Sequence, residues 1–221
     1  MFTRVTGWLL IISPIFAMAM WIAVWPVNLN DSVAKQISDL TSNQTLSIIG
    51  GMGGLLGMLS WWIAHTFLAR LMQNRDSVGG VLSEISGILS ISLIPLMMFN
   101  LSTALAIFEP TSGTTTGAKY LNDPALAEAI FVNGEGSGFL IGPIWALSFL
   151  FISISVVLQN IFHPKIANIV LGGIGIIVAI TWFFMAVIPS IDDGPAWMLM
   201  TILTIIIGIF TLNKKNNEYK G

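Results

Sequence analysis

The chain has no cysteine. Disulfides, iron–sulfur clusters, thiolate metal sites and thiol nucleophiles are therefore excluded. Catalytic motifs are also scarce, because there are two histidines and no H-E-x-x-H or similar zinc-binding helix. The one close acidic pair, Asp192 and Asp193, is interpreted as a solvated turn before the last apolar segment, with outer-surface cation binding as the alternative.

Charge is equally rare. Only 9% of the 221 residues are charged, whereas a soluble domain carries about 25%. Hydrophobic residues make up 55% of the chain, and the mean hydropathy is +0.84. A soluble fold of this length could not bury so much apolar surface. The composition therefore indicates an integral membrane protein.

The apolar residues form six blocks without Asp, Glu, Lys or Arg, each near the roughly 20 residues that cross a bilayer as helix. The short alternating segments of a transmembrane β-barrel are absent. The first block continues to Trp25, longer than a signal-peptide core, and is expected to be retained. The sequence predicts one all-α membrane domain over residues 1–221, an up-and-down bundle of six transmembrane helices with a cytoplasmic tail at 213–221. The predicted spans are 7–25, 45–68, 85–108, 138–157, 166–188 and 196–212.

Basic residues predict the orientation of these helices. One side carries seven of them, and the opposite side has two. This asymmetry predicts a multi-pass protein of a prokaryotic cytoplasmic membrane with both termini in the cytoplasm. The predicted inner residues are Arg4, Arg70, Arg75, Lys165, Lys214, Lys215 and Lys220, and the outer ones are Lys35 and Lys119.

Two outer loops carry helix signals. In NDSVAKQISDLTSNQ, Asp31 is a candidate cap for a helix whose apolar residues share one face. In YLNDPALAEAIFVNGEG, Asp123 is a candidate cap, Pro124 suits the first helical position and Gly134 is a candidate end. Both are predicted to be short amphipathic helices that either tie off the loops or cover the mouth of the bundle.

The second span holds a glycine-rich stretch, SIIGGMGGLLGMLSWWIAH. It does not match a dinucleotide fingerprint, because Leu56 stands where the third glycine is required, and no Walker lysine follows. Glycines four residues apart instead predict a face on which a neighbouring helix approaches closely. A similar face is predicted in the fifth span, and each is expected to meet a neighbouring helix, with contact between the two as one arrangement. The predicted packing residues are Gly50, Gly53, Gly54, Gly57, Gly172, Gly175 and Ala179.

The two histidines are candidate ligand residues. His65 lies on the glycine side of the second span, near its cytoplasmic end, where it is interpreted as a neutral interfacial residue bonded to a carbonyl or a serine and able to reach water. The alternative pairs it with His163, in the turn before Pro164, because two imidazoles can hold a haem iron or a metal ion. No cofactor is predicted outside that alternative.

Proline and polar residues break the apolar pattern. Pro14, Pro95 and Pro143 lie inside the first, third and fourth spans. Hydroxyl residues and Asn100 surround Pro95, and these groups either bond between helices or line a cavity for a polar ligand. The tryptophans are interpreted as including an aromatic belt at the membrane interfaces.

The chain resembles the six-helix prokaryotic membrane proteins of domain of unknown function 4386. The resemblance is carried by TRVTGWLLIISPIF, by an outer-loop helix running into a glycine-containing span that ends HTFLARLM, and by GSGFLIGPIWALSFLFISISVV followed by HPKIANIVLGGIGIIVAITW. That family usually has a basic residue before the proline of the fourth turn, where this chain has His163. The resemblance implies a fold and no chemistry.

Three function classes follow from the sequence. The first is a non-enzymatic protein that binds membrane lipids, other membrane subunits or a second copy of itself, and no nucleic-acid partner is expected. The second is a small transporter or channel that uses the kinked third and fourth spans; the spans lack the carboxylates that couple transport to protons or sodium. The third is a haem- or metal-dependent membrane enzyme that uses His65 and His163.

Overall fold

A computed structural model of the chain describes residues 1–28, 31–72, 76–107, 124–188 and 194–213. Over these ranges the regular secondary structure is helical, and they contain no strand. Among the residues used in the sequence analysis, Arg75, Lys119, Asp123, Asp192, Asp193 and the tail from residue 214 onward lie outside the described residues.

Seven helices are described, and six of them are long and apolar enough to cross a membrane. This confirms the predicted six-helix membrane protein. Helices are the expected outcome, since a segment in hydrocarbon must bond all its backbone groups internally. The helices are α1 (Phe2–Ala23), α2 (Val33–Ser42), α3 (Gln44–Leu71), α4 (Val78–Leu105), α5 (Pro124–Gln159), α6 (Lys165–Val187) and α7 (Gly194–Asn213), of which α2 is the short one.

The first predicted outer helix is present as α2, but a different residue caps it. The hydroxyl oxygen of Ser32 accepts the backbone N–H of Lys35 at 3.4 Å. Asp31 instead lies 3.6 Å from the ammonium of Lys35, which also donates to Asp39 at 2.7 Å. The hydrogen bond to Asp39, aided by the charges of both carboxylates, raises the pKa of Lys35.

The second predicted outer helix is not a separate element. Its residues are the first turns of α5, which continues without a break from Pro124 to Gln159. Gly134 does not end the helix, because its missing side chain leaves space for Thr103 of α4. Its carbonyl oxygen also accepts a 2.9 Å hydrogen bond from the amide of Asn100, so the glycine is used for packing inside a helix.

The described contacts divide into two compact units. The second unit comprises Phe16–Met58 and Ile94–Ile141, and in it the glycines of α3 face the end of α1 and the residues that follow it. A β-carbon at Gly57 would lie 2.7 Å from the Cα of Ala17, and one at Gly50 would lie 3.0 Å from the Cα of Trp25. The same unit has an apolar core formed by Leu40 of α2, Ile107 just after α4, and Ala127 and Phe131 of α5.

The first unit comprises Met1–Ile15, Leu59–Leu93 and Gly142–Gly221. Here the small residues of α6 face α5, and a β-carbon at Gly172 would lie 2.7 Å from the carbonyl oxygen of Ser153. A second close crossing joins α1 and α7, where a β-carbon at Gly7 or at Gly208 would each lie 3.0 Å from the other glycine's carbonyl oxygen. The glycine faces of α3 and α6 therefore each contact a different neighbouring helix.

The outward side of α6 is apolar. Its exposed large residues recur at helical spacing and are Ile166, Ile169, Val170, Ile174, Ile177, Ile180, Phe184 and Val187. A helix that exposes isoleucine along its whole length is suited to acyl chains and not to water.

Adjacent glycines of α6 provide a test of this packing. Gly172→Ala adds a methyl group against the α5 backbone and is expected to destabilise the protein by about 1–3 kcal/mol, as overpacking does. Gly173→Ala is the matched control, because a β-carbon there meets nothing within 4 Å. Thermal unfolding in detergent measures both, and equal melting temperatures for the two variants would contradict the close approach of α5 and α6.

Candidate functional site

The most distinctive polar group inside the first unit is the imidazole of His65, which is 1% exposed. It belongs to a set of side chains from α3, α5, α6 and α7 that we call the histidine cluster. Each member is at most 3% exposed. The members are Trp61, Trp62, His65, Trp145, Phe149, Trp182 and Thr204.

Helical spacing brings these side chains together. Trp61 and His65 are four residues apart on α3 and therefore lie on one face of that helix. Trp145 and Phe149 have the same spacing on α5. The α3 face meets the α5 face, and Thr204 of α7 approaches the imidazole from a third helix.

The rings contact one another mainly edge to face, the preferred geometry for aromatic pairs. Trp145 is the central ring, with centroid distances of 4.7 Å to Trp61, 5.6 Å to Trp62 and 5.2 Å to Trp182. The imidazole of His65 lies 5.8 Å from the ring of Phe149. The cluster therefore surrounds one polar ring with large apolar ones.

The hydrogen bonds of the cluster determine the form of His65. The indole N–H of Trp61 donates to Nε2 of His65 at 3.3 Å. An indole can only donate, so Nε2 must hold a lone pair, and the proton of a neutral imidazole must then be on Nδ1. The hydroxyl of Thr204 is 3.4 Å from the same nitrogen but donates its proton to the carbonyl oxygen of Met200 at 2.9 Å. His65 is thus a neutral ring with Nδ1–H as its donor.

Three buried N–H groups of this cluster have no hydrogen-bond partner among the described residues. They are Nδ1 of His65, Nε1 of Trp62 and Nε1 of Trp145. A buried donor without an acceptor costs about 1–3 kcal/mol. All three orphaned groups are donors.

The expectation that His65 reaches cytoplasmic water is wrong. Its position near the end of α3 suggested shallow exposure, but Phe149 and Thr204, from two other helices, cover it. Its hydrogen-bond partner is also an indole, that of Trp61, where a carbonyl or a serine was expected.

His163 has a different environment from His65. It is exposed in the turn between α5 and α6, next to Pro164. The ring contacts of His65 are with Trp61 and Phe149. In addition, the lone pair of His65 already accepts from Trp61, which leaves it poorly suited to bind a metal ion. Within the described ranges, no three His, Cys, Asp or Glu side chains form a metal-binding group.

The residues considered for a cavity around Pro95 do not converge. Pro95 is exposed, so it does not face the interior of the unit to which it belongs. Asn100 donates to the carbonyl oxygen of Gly134 and so joins α4 to α5.

Serines of α4 bond to α5 in the same way as Asn100. The hydroxyl of Ser148 lies 3.1 Å from that of Ser86 and 2.8 Å from that of Ser90. Ser86 also donates to the carbonyl oxygen of Ser148 at 2.7 Å, and Ser148 donates to that of Ser86 at 2.9 Å. These hydroxyls therefore form hydrogen bonds between α4 and α5.

Sequence reasoning missed most of the histidine cluster. The tryptophans were expected to include an aromatic belt at the span ends, whereas Trp61, Trp62, Trp145 and Trp182 are buried inside the first unit. The available signal was the pair of W-x-x-x-H and W-x-x-x-F spacings in two different spans. Gly7 and Gly208 were also missed, since a single glycine in a span gives no repeat.

Two neighbouring tryptophans test the hydrogen-bond assignment. Trp61→Phe removes the N–H that His65 accepts and is expected to lower stability by about 1 kcal/mol through that bond. Trp62→Phe removes an orphaned N–H and keeps the ring, so it should be neutral or stabilising by comparison. Melting temperatures of the two variants give the answer, and a greater loss from Trp62→Phe than from Trp61→Phe would refute the assignment.

Comparison of the chain with protein-family models, with curated proteins and with solved structures finds no match in any of the three. The fold and the histidine cluster are therefore interpreted from this chain's own residues. The resemblance to domain of unknown function 4386 stays a prediction.

Proposed function

We propose that this membrane protein acts by binding a molecule of the lipid phase or a partner subunit, and not by catalysis or transport. The proposal rests on one observation: interior polar side chains form hydrogen bonds from one helix to the next. Ser86 and Ser90 of α4 each bond to Ser148 of α5, and Asn100 of α4 bonds to the carbonyl oxygen of Gly134 on α5. Interhelical hydroxyl bonds of this kind hold a bundle together. Side chains paired in this way are not available to line a polar path.

The proposed setting is a prokaryotic cytoplasmic membrane with both termini in the cytoplasm. It is supported by the seven-to-two distribution of basic residues. The ion pairs of Lys35, one of the two basic residues assigned to the outer side, are compatible with this orientation. Its charge is compensated by Asp31 and Asp39 at 3.6 and 2.7 Å. Membership of the family of domain of unknown function 4386 is part of the same proposal.

Single cysteines test the orientation directly, because the natural chain has none. Ser38→Cys lies on the exposed side of α2, and Lys165→Cys lies at the exposed start of α6. In intact cells a membrane-impermeant maleimide should modify Ser38→Cys, while Lys165→Cys should react only after permeabilisation. Ala146→Cys, at a fully buried position, is the unreactive control. The reverse labelling pattern would overturn the orientation.

A third single cysteine separates binding from transport. Ser90 would face any aqueous path built on α4 and α5, but it is fully buried and bonded to Ser148. In reconstituted vesicles Ser90→Cys is expected to remain unmodified by a small, water-soluble methanethiosulfonate reagent. Ser92→Cys, on the exposed lipid-facing side two residues away, checks for reaction from the bilayer. Labelling at position 90 but not at position 92 would favour the transporter.

A further inference from the structure

We propose that a groove on the exposed side of α1 binds an anionic phospholipid, with the lipid phosphate at Arg4 and an acyl chain along the apolar residues that follow. The inference rests on the proposed binding function and identifies the bound molecule as a lipid. The groove, which we call the α1 groove, has a volume of about 640 Å³. Its lining residues are Met1, Arg4, Val5, Trp8 and Leu9.

Helical spacing places the lining of the α1 groove on one side of the helix. Arg4 and Trp8, for example, are four residues apart. The other side of α1 is packed within the first unit, where Leu10 is fully buried and a β-carbon at Gly7 would lie 2.7 Å from the side chain of Leu212 on α7. This packing holds α1 in place and leaves the α1 groove on its exposed side.

The charge of the α1 groove specifies the headgroup. Arg4 is the only charged residue in its lining. It is exposed, and no described carboxylate forms an ion pair with it. A guanidinium is always charged, and its planar fork of N–H donors fits two phosphate oxygens. An unpaired guanidinium therefore favours a headgroup of net negative charge over a zwitterionic one, whose own cation offsets the attraction.

The exposed residues that follow Arg4 continue the same side of α1 into the membrane. Trp8, about 6 Å further along the helix, is 54% exposed, and Ile12 and Ile15 are 56% and 51% exposed. Tryptophan prefers the headgroup level of a bilayer, whereas isoleucine suits the hydrocarbon. This order of cation, indole and aliphatic side chains matches the order of phosphate, ester groups and acyl chain in a phospholipid. A free phosphate ion would use Arg4 alone.

A second arginine at the same end of the first unit provides a control of equal charge. The ring of Phe2 lies 5.0 Å from that of Phe67, so the start of α1 lies beside the end of α3. Arg70, three residues after Phe67, is also exposed. It does not line the α1 groove. The two arginines therefore separate binding in the groove from a general attraction to negative charge.

Native mass spectrometry of the purified full chain in detergent measures the binding. Phosphatidylglycerol should bind at lower concentration than phosphatidylcholine with the same acyl chains. Arg4→Gln should weaken phosphatidylglycerol binding about fivefold, the value of one basic side chain near an anionic lipid surface, and leave phosphatidylcholine binding unchanged. Arg70→Gln should bind both lipids like the natural chain. Equal phosphatidylglycerol affinities in the two variants would overturn the proposal.

Two further measurements locate the lipid and identify the source of its phosphate. Phosphatidylglycerol with a photoreactive diazirine in its acyl chain should label α1 between residues 5 and 15. Equal labelling of the exposed face of α6 would contradict a site at the α1 groove. Millimolar inorganic phosphate should not displace the lipid, and displacement would show that the phosphate alone is recognised.

Two exposed aromatic residues test the apolar part of the α1 groove. Trp8→Ala should weaken the binding of both lipids, because the indole contacts the part that they share. Phe184→Ala, at a 58% exposed position of α6, is the matched control and should have no effect. Circular dichroism checks that each variant is folded. If folded Arg4→Gln and Trp8→Ala both bind phosphatidylglycerol like the natural chain, the α1 groove is refuted, whereas the broader binding function is tested separately by labelling at Ser90→Cys.

Discussion

Helices in hydrocarbon gain little by hiding apolar side chains from one another, since acyl chains are equally apolar. Association must therefore come from close backbone approach and from the polar bonds that such closeness permits. In this protein glycine provides the approach. Gly57 leaves room for Ala17 of α1, Gly172 for the backbone of α5, and Gly7 and Gly208 for each other. Each crossing lies within a single compact unit, so each unit has its own close contacts.

Close approach determines what the polar side chains can do. Hydroxyls are short, and they reach another helix only where the backbones are near. Ser86, Ser90 and Ser148 meet this condition between α4 and α5, as does Ser155, which donates to the carbonyl oxygen of Gly79 at 2.8 Å. The histidine cluster differs from these serines, because three of its buried N–H groups have no acceptor among the described residues.

Much of the architecture could be predicted because it depends on local composition. Uncharged stretches of about 20 residues define spans whatever surrounds them, and α2 follows from local amphipathic spacing. The continuous α5 could not be predicted, because Gly134 carries a helix-ending signal that is overridden by its contact with Thr103 of α4. The burial of His65 depends on Thr204, which is 139 residues away along the chain. No pattern within one span contains that information, and the same is true of the exposed position of Pro95.

Glycine allows the helices of this protein to touch, and a disulfide across one of the crossings measures that contact. A β-carbon at Gly175 would lie 3.0 Å from Cβ of Ser153, so a disulfide, which needs about 3.5–4.5 Å, would form after a small separation of the two helices. A β-carbon at Gly173 has nothing within 4 Å. In the otherwise cysteine-free chain, Ser153→Cys with Gly175→Cys should oxidise readily and lose both reactive thiols. Ser153→Cys with Gly173→Cys should keep them. Persistent thiols in the first pair, or equal crosslinking of the two pairs, would contradict the account.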